Sequence, residues 1–168
     1  LMQRLVTSST AAIRATLERR QALLDAPELQ AGLFDLSETD EWAELDGQSQ
    51  LDAALHTSSW AQERSEVDML LELAKETERQ GADAKAEALL ELIYKLQQEE
   101  NDPELKVLVF TEFVPTQAML ADYLESRGFS IALLNGGMDL EARTKAQKAF
   151  SQDIRILIST DAGGEGLN

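Results

Sequence analysis

The 168 residues suffice for one domain, or for a small domain with a helical appendage, and an apolar share of 43% supports a buried core. The lack of cysteine excludes a disulfide framework and thiolate metal sites, a lone His56 excludes an imidazole cluster, and no run of about 18 apolar residues is available to span a membrane. The formal charge of −16 is uneven: residues 1–105 hold 9 basic and 23 acidic side chains, whereas residues 106–168 hold 6 and 8. A polyanionic half repels nucleic acid over a Debye length of about 8–10 Å, so any nucleic-acid contact is expected in the second half. With no secretory leader in LMQRLVTSST, the expected location is cytoplasmic.

In chain order, TSSTAAIRATLERRQALLDA offers Ser and Thr for an N-cap and then Ile13, Leu17 and Leu24 at helical spacing, with Arg14, Arg19 and Arg20 on or near the polar face. From Pro27 to about Gln62 the periodicity dissolves into acidic sequence such as FDLSETDEWAELDGQSQ, read as a mobile loop or short helical turns that Trp42, Leu45 and Trp60 can pin. SEVDMLLELAKETERQ places Val67, Leu70, Leu71 and Ala74 on one stripe and predicts a helix ending at Gly81 in a C′ position. ADAKAEALLELIYKLQQEE repeats the stripe with Ala86, Leu89, Leu90, Ile93 and Leu96 until AsnAspPro breaks it.

The period then changes. VLVF (107–110), IALL (131–134) and IRILIS (154–159) are short apolar runs suited to strands buried on both faces of a parallel sheet. Between them, PTQAMLADYLESRG carries Pro115 in a first turn, a stripe of Met119, Leu120 and Leu124, and Gly128 as a stop; DLEARTKAQKAF is the next helix. Strand, helix, strand, helix, strand predicts right-handed crossover units, hence an α/β fold with a small parallel sheet flanked by helices, preceded by a mostly helical acidic segment.

Ligands of open α/β sheets collect at the carboxyl ends of the strands, which selects Thr111–Phe113, Asn135–Met138 and the final STDAGGEGLN. Asn135, Gly136 and Gly137 can admit an anion close to the backbone or simply reverse the chain. Arg143 can reach a phosphate or pair with Glu141 or Asp139, and spacing favours the surface pair. The tail presents hydroxyls at Ser159 and Thr160, a capping carboxylate at Asp161 and permissive backbone at Gly163, Gly164 and Gly166. It contains neither GxxxxGK[ST] nor GxGxxG, and pattern alone allows a ligand loop and an ordinary strand-to-helix turn equally.

KVLVFTEF, LNGGMDLEARTKAQKAF and ILISTDAGGEGLN resemble motifs IV, IVa and V of the second RecA-like lobe of superfamily-two helicases, and more narrowly the Swi/Snf-type DNA translocases, including the RapA-like bacterial ATPases. The resemblance runs over roughly residues 82–168; LVTSSTAAIRATLERRQALL is similar to the helical stretch between the lobes. It implies an incomplete RecA-like sheet at 101–168 (motifs IV to V, without motif VI) after a helical inter-lobe segment at 1–100 with an acidic loop around 35–62. It further implies that Thr111, Asn135, Gly136, Gly137, Arg143, Thr160 and Asp161 lie along DNA, with Asp161 and Glu165 coupling that contact to the nucleotide cleft. Gly164, Glu165, Gly166 and Asn168 would face ATP, Asn168 being consistent with the Swi/Snf branch. Leu140 stands where relatives carry the Gln of QxxR, a departure from the polar pattern of motif IVa.

The phosphate loop, the Mg2+ ligands and the arginine fingers of such enzymes have no counterpart in this sequence. The expectation is therefore a piece of a longer translocase that needs a first RecA-like lobe as partner and has no ATPase activity alone. The alternative is a protein-interaction module, in which the acidic helical half binds a basic partner such as an RNA polymerase surface.

Overall fold

The computed structural model describes residues 8–25 and 63–160, distributed over two compact units, Leu1–Gly81 and Ala82–Asn168. The expected acidic loop around 35–62 and the tail from Asp161 to Asn168 lie outside the described residues.

The first unit contains helix α1 (Thr10–Asp25) and helix α2 (Glu63–Gln80). Ser9 caps α1 by accepting the Ala12 amide on its hydroxyl at 3.1 Å. The buried row of α1 is Ala12, Thr16, Arg20 and Leu24, not the Ile13–Leu17–Leu24 stripe that apolarity alone predicts, and Arg20 is 3% exposed instead of lying on the polar face. Small side chains at 12 and 16 let a neighbouring helix approach along this i, i+4 ridge. Thr16 tolerates burial because its hydroxyl donates to the Ala12 carbonyl at 2.8 Å. From α2, Val67, Leu71 and Ala74 are buried, whereas Leu70, expected on the same stripe, is 45% exposed. Arg14 bonds Glu78 at 2.8 Å, Gln21 bonds Asp68 at 2.6 Å and Asp25 pairs with Arg64, so the start of α1 faces the end of α2 and the helices run antiparallel. The hydrogen bond that Arg14 donates to the Glu18 carboxylate, against some desolvation, raises the Arg14 pKa. Partly exposed pairs of this kind set direction more than they add stability. Gly81 follows α2 without adopting the left-handed φ of a C′ residue.

In the second unit, helix α3 (Ala84–Glu99) is capped by Asp83, whose side chain accepts the Lys85 amide at 2.9 Å. It ends at Asn101, at φ 51°, where the Asn101 amide donates to the Gln98 carbonyl and the Asp102 amide to that of Gln97, a Schellman closure. The compact units divide after Gly81 and not near residue 100, because α3 buries Ala86 and Ile93 in the same core as the sheet.

The remaining elements are β1 (Val107–Thr111), α4 (Val114–Glu125), β2 (Ile131–Leu134), α5 (Leu140–Gln152) and β3 (Ile156–Thr160). The strands form a parallel sheet in the order β1-β3-β2, with Val107 opposite Ile156, Thr111 opposite Thr160, and Leu134 opposite Ser159. On one face Ile156 and Ile158 pack with Leu120, Ala121 and Leu124 of α4 and with Ala86 and Ile93 of α3. On the other, Leu157, Ala132 and Leu134 pack with Ala146 and Phe150 of α5. Burial on both faces, expected of all three strands, holds throughout β3. It fails for β1: Leu108 and Phe110, in register with Leu157 and Ser159, are 40% and 58% exposed, since β1 is an edge strand. Lys106, just before β1, donates to the Phe150 and Gln152 carbonyls at 2.6 and 3.0 Å and so satisfies the end of α5 with a cation.

The turn from α4 to β2 rests on Gly128 at φ 86°, whose amide donates to Glu125 while that of Phe129 donates to Leu124. No atom would obstruct a Cβ there, so the penalty of a side chain is conformational. Gly128→Ala is expected to lower unfolding stability by about 1–2 kcal/mol, read as a lower urea midpoint at unchanged slope.

Candidate nucleic-acid interface at the strand ends

Parallel strands in this register bring Thr111, Asn135 and Thr160 to one edge of the sheet. Thr160 is 2% exposed, and its Oγ1 is buried without a hydrogen-bond partner among the described residues. A buried hydroxyl left unpaired is unfavourable and invites an acceptor. Its own carbonyl accepts from the Ser159 hydroxyl at 3.0 Å.

The loop after β2 is held from two sides. Asn135 Nδ2 donates to Gln117 Oε1 at 3.0 Å, and Asn135 Oδ1 accepts the Gly137 amide at 3.2 Å. Gln117, 1% exposed on α4, donates through Nε2 to the carbonyls of Leu134 at 3.0 Å and Ile158 at 2.7 Å. Sequence reasoning passed over Gln117, because a polar residue in a helix reads as a surface position; the available signal is its placement beside Leu120, Ala121 and Leu124, one turn from the buried stripe.

On the other side, Arg143 Nε donates to the Met138 carbonyl at 3.1 Å and its Nη2 to the Gly136 carbonyl at 3.2 Å. The expected surface pair with Glu141 or Asp139 is not among the described ion pairs. Two of the five guanidinium N–H donors brace the loop, which leaves three for a ligand.

The N-terminus of α5 is less available to an anion than its position suggests. Asp139 accepts the Ala142 amide at 2.7 Å and places a carboxylate on the helix axis, with Glu141 in the first turn. The amides of Leu140 and Glu141 keep no intrahelical partner, but a phosphate there meets like charge. Leu140 itself is 80% exposed beside the loop. Asp161, Gly164, Glu165, Gly166 and Asn168, which the resemblance assigns to DNA coupling and to ATP, lie outside the described residues. Among the described residues no three His, Cys, Asp or Glu side chains gather as a metal site, and no helix is long and apolar enough to cross a membrane.

A three-stranded parallel sheet covered by helices, with its polar groups gathered at the strand ends, has the form of a RecA-like C-terminal lobe. Residues 84–168 match the helicase conserved C-terminal domain, and the chain belongs to that family. It is similar to the ATP-dependent helicase rhp16 of Schizosaccharomyces pombe, at 40% identity over 87 residues, covering 50% of this chain and 10% of that protein. It is also similar to the ATP-dependent helicase YqhH of Bacillus subtilis, at 38% identity over 63 residues (38% of this chain, 11% of that protein). CHROMATIN REMODELING 5 of Arabidopsis thaliana is 40% identical over 67 residues, 38% of this chain and 4% of that protein. The chain thus spans about a tenth or less of the length of these relatives. Among solved structures, the Hef helicase domain of Pyrococcus furiosus shares the fold at a TM-score of 0.51 and 19% identity, covering 98% of this chain and 29% of that one.

Arg143→Met removes both braces while keeping an unbranched apolar stem. Because the loop is largely exposed, water replaces the lost donors, and the expected loss of stability is about 0.5–1 kcal/mol. Hydrogen exchange at Gly137 and Met138 should quicken while that of β3 is unchanged; unaltered exchange in the loop would contradict the bracing role.

Proposed function

We propose that this chain serves as the second RecA-like lobe of a Swi/Snf-type, ATP-dependent DNA translocase and holds one DNA strand along the strand-end edge. The observation that carries this is the convergence of Thr111, Asn135 and Thr160 on one edge, with the Thr160 hydroxyl buried and unpaired among the described residues. Membership in the helicase C-terminal family supports it. Phosphate and sugar oxygens accept hydrogen bonds. The matching groups are donors: the hydroxyls of Thr111 and Thr160, the Gly136 amide, and the N–H groups of Arg143 that do not brace the loop. Leu140 adds apolar contact where relatives have a carboxamide.

In this proposal a first RecA-like lobe is the required partner, and ATP with Mg2+, bound between the lobes, supplies the hydrolysis that drives closure. By resemblance alone, Gly164, Glu165, Gly166 and Asn168 would face the nucleotide and Asp161 the DNA. The role of the described residues is to grip the strand and pass its position to the sheet. The exposed Met69, Leu70 and Leu73 on the acidic α2 favour a second role for the first unit, contact with a protein partner, for which an RNA polymerase surface is one candidate. A pull-down that depends on residues 1–100 and fails at high salt distinguishes it.

The test of the main proposal is anisotropy of a labelled DNA duplex titrated with the 168-residue chain. Arg143, the one cation of this donor set, gives a slope of about −0.9 in log affinity against log salt, hence roughly a threefold loss between about 50 and 200 mM. Thr160→Val should weaken binding about fivefold without unfolding the chain. Binding indifferent to both Thr160→Val and Thr111→Val would overturn the proposal.

A further inference from the structure

The buried carboxamide of Gln117 has a role beyond filling the core. A primary amide carries two donors on its nitrogen and acceptor capacity on its oxygen. Its Nε2 is in reach of two groups on adjacent strands, the carbonyl of Leu134 at the end of β2 at 3.0 Å and that of Ile158 in the middle of β3 at 2.7 Å. Carbonyls cannot donate, so the nitrogen must face the sheet and the oxygen must face away. That oxygen meets Asn135 Nδ2 at 3.0 Å, which fixes the orientation of the second amide in turn. Asn135 Oδ1 is thereby presented to the Gly137 amide, 3.2 Å away. Polarity runs one way, from two strand carbonyls through two carboxamides to a loop amide, and reversing either amide would set like against like. The link is buried at its origin, with Gln117 1% exposed, and reaches solvent at its end.

We propose that Gln117 is the positioning residue of the strand-end interface, coupling the Asn135–Gly137 loop to β3 at Ile158, two residues before Thr160, so that the loop and Thr160 meet a sugar-phosphate strand as one unit. The ligand named here rests on the function proposed above; the coupling does not. Asn135 is thus placed by α4 and β3 as well as by its own strand. A shift of β3 against β2 must break one of the two Gln117 bonds and release the loop.

The test uses the full 168-residue chain as wild type, Gln117→Met, Asn135→Ala and the double variant, with amide hydrogen exchange and affinity for a DNA oligonucleotide as readouts. In Gln117→Met the Gly137 amide should exchange at least about tenfold faster than the common change seen at Leu157 and Ile158. Each single variant should weaken oligonucleotide binding by a similar factor, and the double variant should be no weaker than the worse single one. A uniform rise in exchange, or single effects that multiply, means that Gln117 only supports the fold, and overturns the proposal. If Gln117→Met does not fold, wild type and Asn135→Ala decide: the Gln117 side-chain amide hydrogens should exchange as slowly as core backbone amides, and Gly137 should loosen in Asn135→Ala. Freely exchanging Gln117 hydrogens would refute the coupling. If wild type binds no oligonucleotide, the proposed function fails while the exchange data still decide the link.

Discussion

The strand-end edge depends on the burial of β3 between its two neighbours. Ile156, Leu157 and Ile158 are 1%, 0% and 0% exposed, Ile156 and Ile158 closing the α3–α4 face and Leu157 the α5 face. Strands β1 and β2 each hydrogen-bond to β3 and not to each other. Within the sheet, the position of Thr111 relative to Asn135 is therefore set through the register of β3, and Gln117 of α4 holds the Asn135 side chain. A single-residue slip would turn its apolar side chains to the wrong faces, so the register is strongly specified. The geometry of the polar edge is in this sense a product of the apolar core.

The interface relies on aligned donors more than on net charge. The chain carries −16, and even its second half is slightly acidic. Asp139 occupies the end of α5 that would attract an anion, and Arg143 is partly engaged in bracing its own loop. What remains is a set of hydroxyl and N–H donors held in place by the sheet, by Gln117 and by the Arg143 braces. Such a surface suits the weak, reversible hold on a strand that the proposed function calls for.

The fold of the second half was legible because buried strands and crossover helices leave strong periodic marks: VLVF, IALL and the ILIS of IRILIS became β1, β2 and the body of β3. Gly128 was legible as a stop, since few residues tolerate its φ. The strand order was not legible. Insertion of β3 between β1 and β2 depends on which face each helix covers, and it leaves Leu108 and Phe110 exposed on an edge. The buried row of α1 was missed for a related reason, as close helix packing selects the small Ala12 and Thr16 over the larger Ile13 and Leu17. That Thr111, Asn135 and Thr160 share one edge of the sheet was legible from the rule for open sheets. Gln117 and the carbonyl partners of Arg143 were not, because both are defined by backbone oxygens that every residue type shares.

The most direct measurement is photocrosslinking of a DNA strand carrying a photoreactive base to the 168-residue chain, with the attachment points mapped by mass spectrometry. The account predicts attachment at or beside Thr111, Asn135–Gly137 and Thr160. Attachment confined to residues 8–25 and 63–80, with none on the strand-end edge, would contradict it.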